Sequence, residues 1–166
     1  FYFVALGGAE KVGMNMYAYL SDGRIIVVDA GYDFLNDDFP GMELGLADPA
    51  WLESYRDCID AMFITHSHED HFGAIAHIWP RLRCPVYATD FTIGHILPRL
   101  REYKLENEVE LISVNQNPVV KLPDFEVEYV PVVHSLPENS ALRIKTNTAR
   151  FFTPRTGALT IAILIL

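Results

Sequence analysis

The amino-acid sequence predicts an α/β sandwich, because strand-like apolar runs dominate both ends of the chain and helical spacing lies between them. A chain of 166 residues is long enough to form one domain with a sizeable core. Half of the residues are hydrophobic and 12% are aromatic, so the composition excludes a disordered chain. The most apolar run, Ala158–Leu166, is shorter than the roughly 18 residues that a transmembrane helix needs.

The first third of the chain predicts strands joined by tight turns. The apolar runs are Phe1–Leu6, Met14–Leu20 and Ile25–Val28, and Ser21-Asp22-Gly23 has the composition of a hairpin turn. An acidic loop with interspersed glycines then runs to Asp48. Structureless loops beyond about 12 to 15 residues are uncommon, so a loop of this length indicates a functional segment.

The middle of the chain predicts helices that alternate with short strands. Asp48 is typical of a helix cap before Pro49, which predicts a helix to about Asp57. The next elements are a strand at Ala61–Thr65, a helix over Asp70–Pro80, a strand at Pro85–Ala88 and a helix over Asp90–Tyr103. Strand-like alternation returns from Val109 to Pro131 and at Ala141–Ile144.

The charge balance limits how this protein can bind phosphate. Thirteen Lys and Arg stand against twenty-two Asp and Glu, for a net charge of −9. The overall field therefore repels polyphosphate, and nucleic-acid binding needs local cations, either a few arginines or bound metal. Two cysteines, Cys58 and Cys84, are too few for a disulfide scaffold, and no signal peptide opens the chain. We expect a cytoplasmic location.

Directly after the strand predicted at Ala61–Thr65, three histidines and two carboxylates occur within six residues, in His66-Ser67-His68-Glu69-Asp70-His71. Zinc takes imidazole and carboxylate ligands, and a catalytic site leaves one position for water. In an extended segment His66 and His68 project to the same side, whereas Asp70 and His71 lie in the first helical turn and point elsewhere. The spacing therefore suits two adjacent metals better than one. A polar helix start with solvated histidines is the alternative.

This H-x-H-x-D-H segment resembles the signature of the metallo-β-lactamase superfamily, a group of dinuclear zinc hydrolases with a four-layer αββα sandwich. The flanking segments are similar to the ribonuclease J branch, whose members are RNA-processing nucleases with an inserted beta-CASP domain. These segments are Leu6-Gly7-Gly8, Val12-Gly13-Met14-Asn15, Asp37-Asp38, Pro40-Gly41-Met42-Glu43, Asp48-Pro49 and His134-Ser135-Leu136-Pro137-Glu138. The resemblance covers about Phe1 to Ile144, and Glu10-Lys11 stands where the family has a Gly-Glu pair.

The resemblance implies a set of zinc ligands and a reaction. The first zinc would be held by His66, His68 and His134, and the second by Asp70 and His71, which are also the implied catalytic residues. The two zinc ions, about 3.5–4 Å apart, would stabilise the oxygens of an RNA phosphodiester during hydrolysis. RNA is thus the implied substrate, no membrane partner is expected, and the oligomeric state stays open.

Some residues also have simpler structural interpretations. The resemblance implies that Asp29 orients a histidine ligand from outside the metal's own ligand set, but a turn-forming aspartate before glycine is the alternative. His77 and His95 lie within predicted helices without partner spacing, so neither is expected to bind metal. Cys84 is expected to be a small buried side chain.

The sequence lacks one residue that the resemblance requires. Members of the family bridge both metals with an aspartate in a His-Thr-Gly/Ala-Asp motif, some 20–25 residues after the second-motif histidine. Here that window reads Arg150-Phe151-Phe152-Thr153-Pro154-Arg155-Thr156-Gly157, and no Asp or Glu follows Glu138. We therefore expect this chain to bind one zinc or fewer. An inactive fragment or pseudoenzyme, and another hydrolase of the same superfamily, are the alternative functions.

A shifted reading frame would explain the missing motif. The segment 151–158 can be encoded so that the frame one base earlier spells Phe-His-Thr-Ala-Asp-Trp-Arg, which contains the family motif. We therefore hypothesise a frameshift near residue 145. On this hypothesis residues 1–145 are the N-terminal part of a metallo-β-lactamase domain, which is incomplete at its C-terminus, and residues 146–166 are a hydrophobic tail outside the family. A short strand added to a sheet is the alternative for the tail.

Overall fold

Two sheets define the fold. The computed structural model describes residues 1–9, 12–35 and 40–147 and the backbone of 150–153. The first sheet has the strand order β1 (Tyr2–Gly7), β2 (Met16–Ser21), β3 (Arg24–Val28), β6 (Ile59–Phe63), β7 (Val86–Ala88) and β8 (Leu111–Ser113). The second has the order β12 (Arg150–Thr153), β11 (Ser140–Thr146), β10 (Phe125–Pro131) and β9 (Val119–Lys121). A separate hairpin pairs β4 (Tyr32–Phe34) with β5 (Leu44–Leu46).

Four helices connect these strands. They are α1 (Ala50–Glu53), α2 (Glu69–Phe72), α3 (Ile75–Leu82) and α4 (Asp90–Glu102), and a 3-10 turn at Arg56–Cys58 follows α1. The strands β3, β6, β7 and β8 pair in parallel, so their carboxyl ends meet at one edge of the first sheet. That edge is where ligands bind in sheets of this kind.

Each face of the first sheet has its own apolar core. One face packs against α3 and α4 through residues such as Met62, Ile78 and Leu100. The other face packs against the second sheet through residues such as Phe63 and Leu142. The order helix layer, sheet, sheet gives three layers of the predicted four-layer sandwich, so the α/β sandwich is confirmed.

The second sheet turns a charged face away from this core. Glu126 lies opposite Lys145 and Glu128 opposite Arg143 across β10 and β11, and both couples form ion pairs. Opposite charges on directly facing residues stabilise an antiparallel pair modestly.

The structure differs from the sequence expectations at helix ends and in the loop expected to run to Asp48, where β4 and β5 pair as a hairpin. The helix expected to reach Asp57 ends at Glu53, and the chain continues as the 3-10 turn. The single helix expected over Asp70–Pro80 is two helices, α2 and α3, separated at Gly73. A side chain at Gly73 would collide with the Tyr32 ring, so the close packing of β4 on α2 requires glycine there.

Beyond residue 145, β12 pairs with β11 over four residue couples. The division of the chain at residue 145 stays a prediction, and the apolar run Ala158–Leu166 lies outside the described residues. Glu10-Lys11 and Asp37-Asp38, which entered the family resemblance, also lie outside them. Within the described part of the chain no helix has both the length and the apolar character to span a bilayer.

Gly31 lets two segments of backbone touch at the edge of the first sheet. A Cβ atom at Gly31 would overlap the carbonyl group of Asp70 and lie 2.7 Å from the backbone nitrogen of His71. The close approach is sealed by hydrogen bonds from Asn15 N to Asp70 O (3.0 Å) and from Gly31 N to Asn15 O (3.0 Å). The loop after β3 is therefore locked against the histidine-rich segment.

We predict that Gly31→Ala lowers the free energy of unfolding by about 2 kcal/mol or more, because the new methyl group must displace backbone rather than a flexible side chain. The matched control is Gly94→Ala. A Cβ at Gly94, within α4, meets nothing within 4 Å, so this change should stabilise the helix by up to about 1 kcal/mol. Equal urea midpoints for the two variants would contradict the prediction.

The two cysteines should differ in reactivity. Burial raises the pKa of Cys84 to about 12, whereas Cys58 is partly accessible. Because the thiolate is the nucleophile, Cys84 should resist iodoacetamide at pH 8 until the protein is unfolded, and Cys58 should react in the folded state. Mass spectrometry of tryptic peptides measures both. Rapid alkylation of Cys84 in the folded protein would show that its pocket opens.

Candidate metal centre

The histidine-rich segment lies at the carboxyl end of β6. This strand is flanked by β3 and β7, so the segment that follows it emerges at the middle of the sheet edge. His66 is 2% exposed, and His68 is still extended at the point where α2 begins. A rigid buried strand thus delivers His66 and His68 before the helix turns Asp70 and His71 to another side.

Three imidazoles converge at this edge. The Nε2 atom of His66 is 3.0 Å from Nδ1 of His68, which is 3.1 Å from Nε2 of His134. Possible ligand atoms of all three residues lie within 4.8 Å of one another. Tetrahedral zinc with bonds of about 2.0–2.1 Å requires ligand nitrogens about 3.3 Å apart, so this donor set fits a metal ion.

The outward nitrogens of two of these histidines have partners of their own. The Thr65 hydroxyl lies 2.9 Å from Nδ1 of His66, and the Ser135 hydroxyl lies 3.1 Å from Nε2 of His68. A hydrogen bond donated by the outward nitrogen fixes the tautomer in which the inward nitrogen is unprotonated, the form that binds a metal. Sequence reasoning assigned no role to Thr65 or Ser135, although both are adjacent in sequence to a predicted ligand.

Asp29 connects Thr65 to His71. Its carboxylate accepts hydrogen bonds from the Thr65 backbone N–H (2.8 Å) and the Thr65 hydroxyl (3.0 Å), and it lies 2.7 Å from Nδ1 of His71. Asp29 is 2% exposed and has a left-handed backbone (φ 62°), a conformation that costs a non-glycine residue free energy. This is the geometry required of an orienting carboxylate, and the role itself stays a prediction.

Asp70 and His71 form a second group of donors beside the three imidazoles. The Oδ2 atom of Asp70 lies 3.5 Å from Nε2 of His71, and the rings of His71 and His66 are 4.1 Å apart between centroids. The residues predicted for two metals are therefore adjacent in space. Their assignment as metal ligands and catalytic residues stays a prediction.

Asn15 contacts both members of this second group, which sequence reasoning did not anticipate. Its Nδ2 atom lies 3.0 Å from Oδ2 of Asp70 and 3.2 Å from Nε2 of His71, and the Tyr17 hydroxyl donates to its Oδ1 atom at 2.9 Å. Burial, together with the negative charges of Asp29 and Asp70, raises the pKa of Tyr17 to about 12, so Tyr17 remains a hydrogen-bond donor at neutral pH. Asn15 belongs to one of the motifs that carry the family resemblance, which was the available signal.

His134 reaches the site on an exposed loop between β10 and β11. The loop is anchored by Glu138, whose carboxylate accepts hydrogen bonds from the backbone N–H of Phe91 (2.9 Å) and from Nδ2 of Asn115 (3.1 Å). Phe91 lies in the first turn of α4, where the helix dipole favours a carboxylate. Glu138 therefore ties the loop that carries His134 to the first sheet and its helices.

Arg99, on α4, connects this helix to α2 through an ion pair with Glu69. Its Nη2 atom lies 3.0 Å from Oε1 and 3.1 Å from Oε2 of Glu69, and its guanidinium lies over the Tyr32 ring. Burial and a hydrogen bond with Glu69 raise the pKa of Tyr32. Glu69, between His68 and Asp70 in the sequence, is thus held by two neighbouring elements.

The remaining candidates lie elsewhere. Nε2 of His77 is 3.1 Å from the Tyr103 hydroxyl, and Nδ1 of His95 is 3.0 Å from the carbonyl oxygen of Phe91. Arg81, in the last turn of α3, forms ion pairs with Asp48 and Glu53. Among the described residues, the one cluster of three or more potential ligands from His, Cys, Asp and Glu is His66, His68 and His134.

Comparison with known proteins agrees with this geometry. Ribonuclease J of Sinorhizobium meliloti is 40% identical over 148 residues, which are 87% of this chain and 26% of the relative. Ribonuclease J of Mycobacterium tuberculosis is 35% identical over 143 residues, 86% of this chain and 25% of the relative. The chain thus spans about a quarter of the length of these curated relatives.

Similarity of fold extends further. The metallo-beta-lactamase fold protein YhfI from Bacillus subtilis superimposes with a TM-score of 0.65 at 16% identity, over 90% of this chain and 59% of that one. The sequence profile described as "Beta-lactamase superfamily domain" matches residues 24–164. Since that match includes most of the chain and all the histidines of the metal centre, the protein belongs to the beta-lactamase superfamily.

Proposed function

We propose that this chain carries the metal centre of a zinc-dependent ribonuclease of the ribonuclease J type. The observation that carries the proposal is the convergence of His66, His68 and His134 at the carboxyl edge of the first sheet. The curated relatives named ribonuclease J support RNA as the substrate, because they align over 86–87% of this chain at 35–40% identity. RNA phosphodiester hydrolysis is therefore favoured over the other reactions of the superfamily.

Zinc is the proposed metal because imidazole nitrogen is one of its preferred ligands and three histidines leave one tetrahedral position open. A bound divalent metal supplies the positive charge that stabilises phosphate oxygens during hydrolysis. This local charge is needed, since the protein as a whole carries a net charge of −9. The cytoplasm is the proposed location, where RNA is available.

The chain's own residues have distinct tasks in this proposal. His66, His68 and His134 hold the metal, and the Thr65 and Ser135 hydroxyls fix two of these rings through their outward nitrogens. Asp29 holds the neighbouring His71 through Nδ1, which keeps its Nε2 atom directed toward Asp70. A phosphate bound at the triad would therefore lie beside both Asp70 and His71.

The missing carboxylate favours a second possibility for the polypeptide itself. Residues 150–157, the window in which the resemblance places the bridging aspartate, contain no Asp or Glu. We propose that residues 1–145 retain the lineage of a ribonuclease, that residues 146–166 are read in a shifted frame, and that this chain is catalytically inactive. Sequencing the coding DNA through the stop codon tests the frameshift directly.

We predict that His134→Ala reduces zinc affinity by more than roughly 10- to 100-fold, because only two imidazoles remain. Loss of a hydrogen-bond partner of a ligand already costs that much, and loss of the ligand itself should cost more. The measurement is a competition titration with a zinc chelator. His95→Ala is the matched control, since this exposed histidine lies on α4 away from the triad. Equal zinc affinity in both variants would remove His134 from the site.

We also predict that the 166-residue chain shows no metal-dependent cleavage of RNA above background. Without a bridging anion, two dications about 3.5–4 Å apart repel each other uncompensated. A fluorescent single-stranded RNA assay with added zinc or manganese measures this. Restoring the other frame from Thr146, with the downstream sequence, should restore cleavage.

The informative contrary result is robust cleavage by the chain alone. If a chelator and Asp70→Ala both abolish that cleavage, the chain is a working enzyme and the argument from the missing carboxylate is wrong.

A further inference from the structure

We infer that Asn15 is a third ligand for a divalent cation held by Asp70 and His71, through its side-chain oxygen. This inference rests on the proposed function, because it concerns the second cation of the same centre. Sequence reasoning left that cation with two ligands, too few for stable binding. The position of the Asn15 amide changes this count.

The distances among the three side chains are those of a chelating set. Nδ2, the inward atom of the Asn15 amide, lies 3.0 Å from Oδ2 of Asp70 and 3.2 Å from Nε2 of His71. The Asp70 and His71 atoms are 3.5 Å apart. Ligands about 2.0–2.1 Å from an ion are about 3.3 Å apart in tetrahedral coordination and about 2.9 Å apart in octahedral coordination, so the observed distances fit either. A single cation can therefore contact all three groups without movement of the backbone.

Rotation of the amide exchanges the atom that faces this position. With Nδ2 inward, Asn15 donates to Oδ2 and to the backbone oxygen of Asp70 (2.9 Å) and faces Nε2 of His71. A half-turn about the Cβ–Cγ bond places Oδ1 inward and Nδ2 beside the Tyr17 hydroxyl, which can accept a hydrogen bond as well as donate one. Both orientations therefore satisfy the outward end of the amide.

The cation decides which orientation is stable. With Oδ1 inward and no cation, that oxygen would face three other acceptors, namely Oδ2 and the backbone oxygen of Asp70 and Nε2 of His71, in a buried position, since Asn15 is 2% exposed. A cation among the three side-chain atoms turns their repulsion into three attractive contacts, and the backbone oxygen of Asp70 keeps the N–H of Asn15 as its donor at 3.0 Å. The amide rotation and cation binding are thus coupled. Without a cation, the amide nitrogen of Asn15 occupies the position in front of the ligand atoms of Asp70 and His71.

The chemistry of the three ligand groups indicates which cation binds and how tightly. Carboxylate and amide oxygens with one imidazole suit Mn²⁺ better than a softer ion. Asp29 directs Nε2 of His71 inward by holding Nδ1 at 2.7 Å. The amide adds a ligand but no negative charge, so binding is weaker than at the histidine triad and is limited by repulsion from its metal.

The test is a Mn²⁺ titration followed by the electron paramagnetic resonance signal of free Mn²⁺, on protein first loaded with one equivalent of Zn²⁺. Asn15→Ala should weaken Mn²⁺ binding by about tenfold or more, because one of three ligands is lost. Asn15→Asp should strengthen it by at least as much, because it adds an anionic oxygen. Asn117→Ala, at an exposed asparagine after β8, is the control and should not change it.

Two outcomes would overturn the inference. If Asn15→Ala binds Mn²⁺ more tightly than the wild type, the amide is a competitor of the cation and not a ligand. If Asn15→Ala and Asn15→Asp bind as the wild type does, the amide has no part in the site. The two variants are expected to act in opposite directions, so a general loss of structure cannot produce the expected pattern.

The same titration in a His134→Ala background separates this inference from the proposed function. There the histidine triad is broken, while Asn15, Asp70 and His71 are unchanged. An effect of Asn15→Ala that persists in this background supports the inference even if the triad binds no zinc. Normal zinc binding, together with Mn²⁺ binding that does not change in Asn15→Ala, would overturn this inference and leave the proposed function intact.

Discussion

The contact between the loop after β3 and the segment after β6 holds the metal centre together. Gly31 allows the two backbones to touch, and the Asp29 carboxylate binds the Thr65 backbone and His71 across the same contact. Two parallel neighbours in the sheet, β3 and β6, end at this point. Every predicted ligand except His134 therefore has its position set by one short stretch of sheet edge.

His134, the remaining predicted ligand, lies on a loop of the second sheet, so the geometry of the site also depends on how the two sheets pack. The loop with His134 leaves β10 and returns at β11, and Ser140 N donates to the carbonyl oxygen of Thr65 at 3.2 Å. Glu138 adds a second tie, to the first turn of α4. Binding of a metal by the triad would join the sheets a third time, which couples metal affinity to stability.

Electrostatics divides the site into two unequal halves. The imidazoles of the triad carry no charge when they bind a metal, and the outward nitrogens of His66 and His68 contact hydroxyl groups. The second group has the charge of Asp70 beside the neutral amide of Asn15, within reach of the buried charge of Asp29. Residues 150–157, where the family resemblance places a bridging aspartate, contain no Asp or Glu, which would leave this half with less negative charge for a second dication.

The sequence by itself determined most of the order of strands and helices, though not the β4–β5 hairpin, and the cluster from His66 to His71, because periodicity and ligand spacing operate over a few residues. Helix ends were less well predicted, and the need for glycine at position 73 comes from the Tyr32 ring, which belongs to a distant strand. Only the tertiary structure decided which distant residues join the cluster. Asn15 and Asp70 are 55 residues apart, and His68 and His134 are 66 apart. Such contacts depend on strand pairing and on the packing of two sheets, which local sequence patterns do not encode.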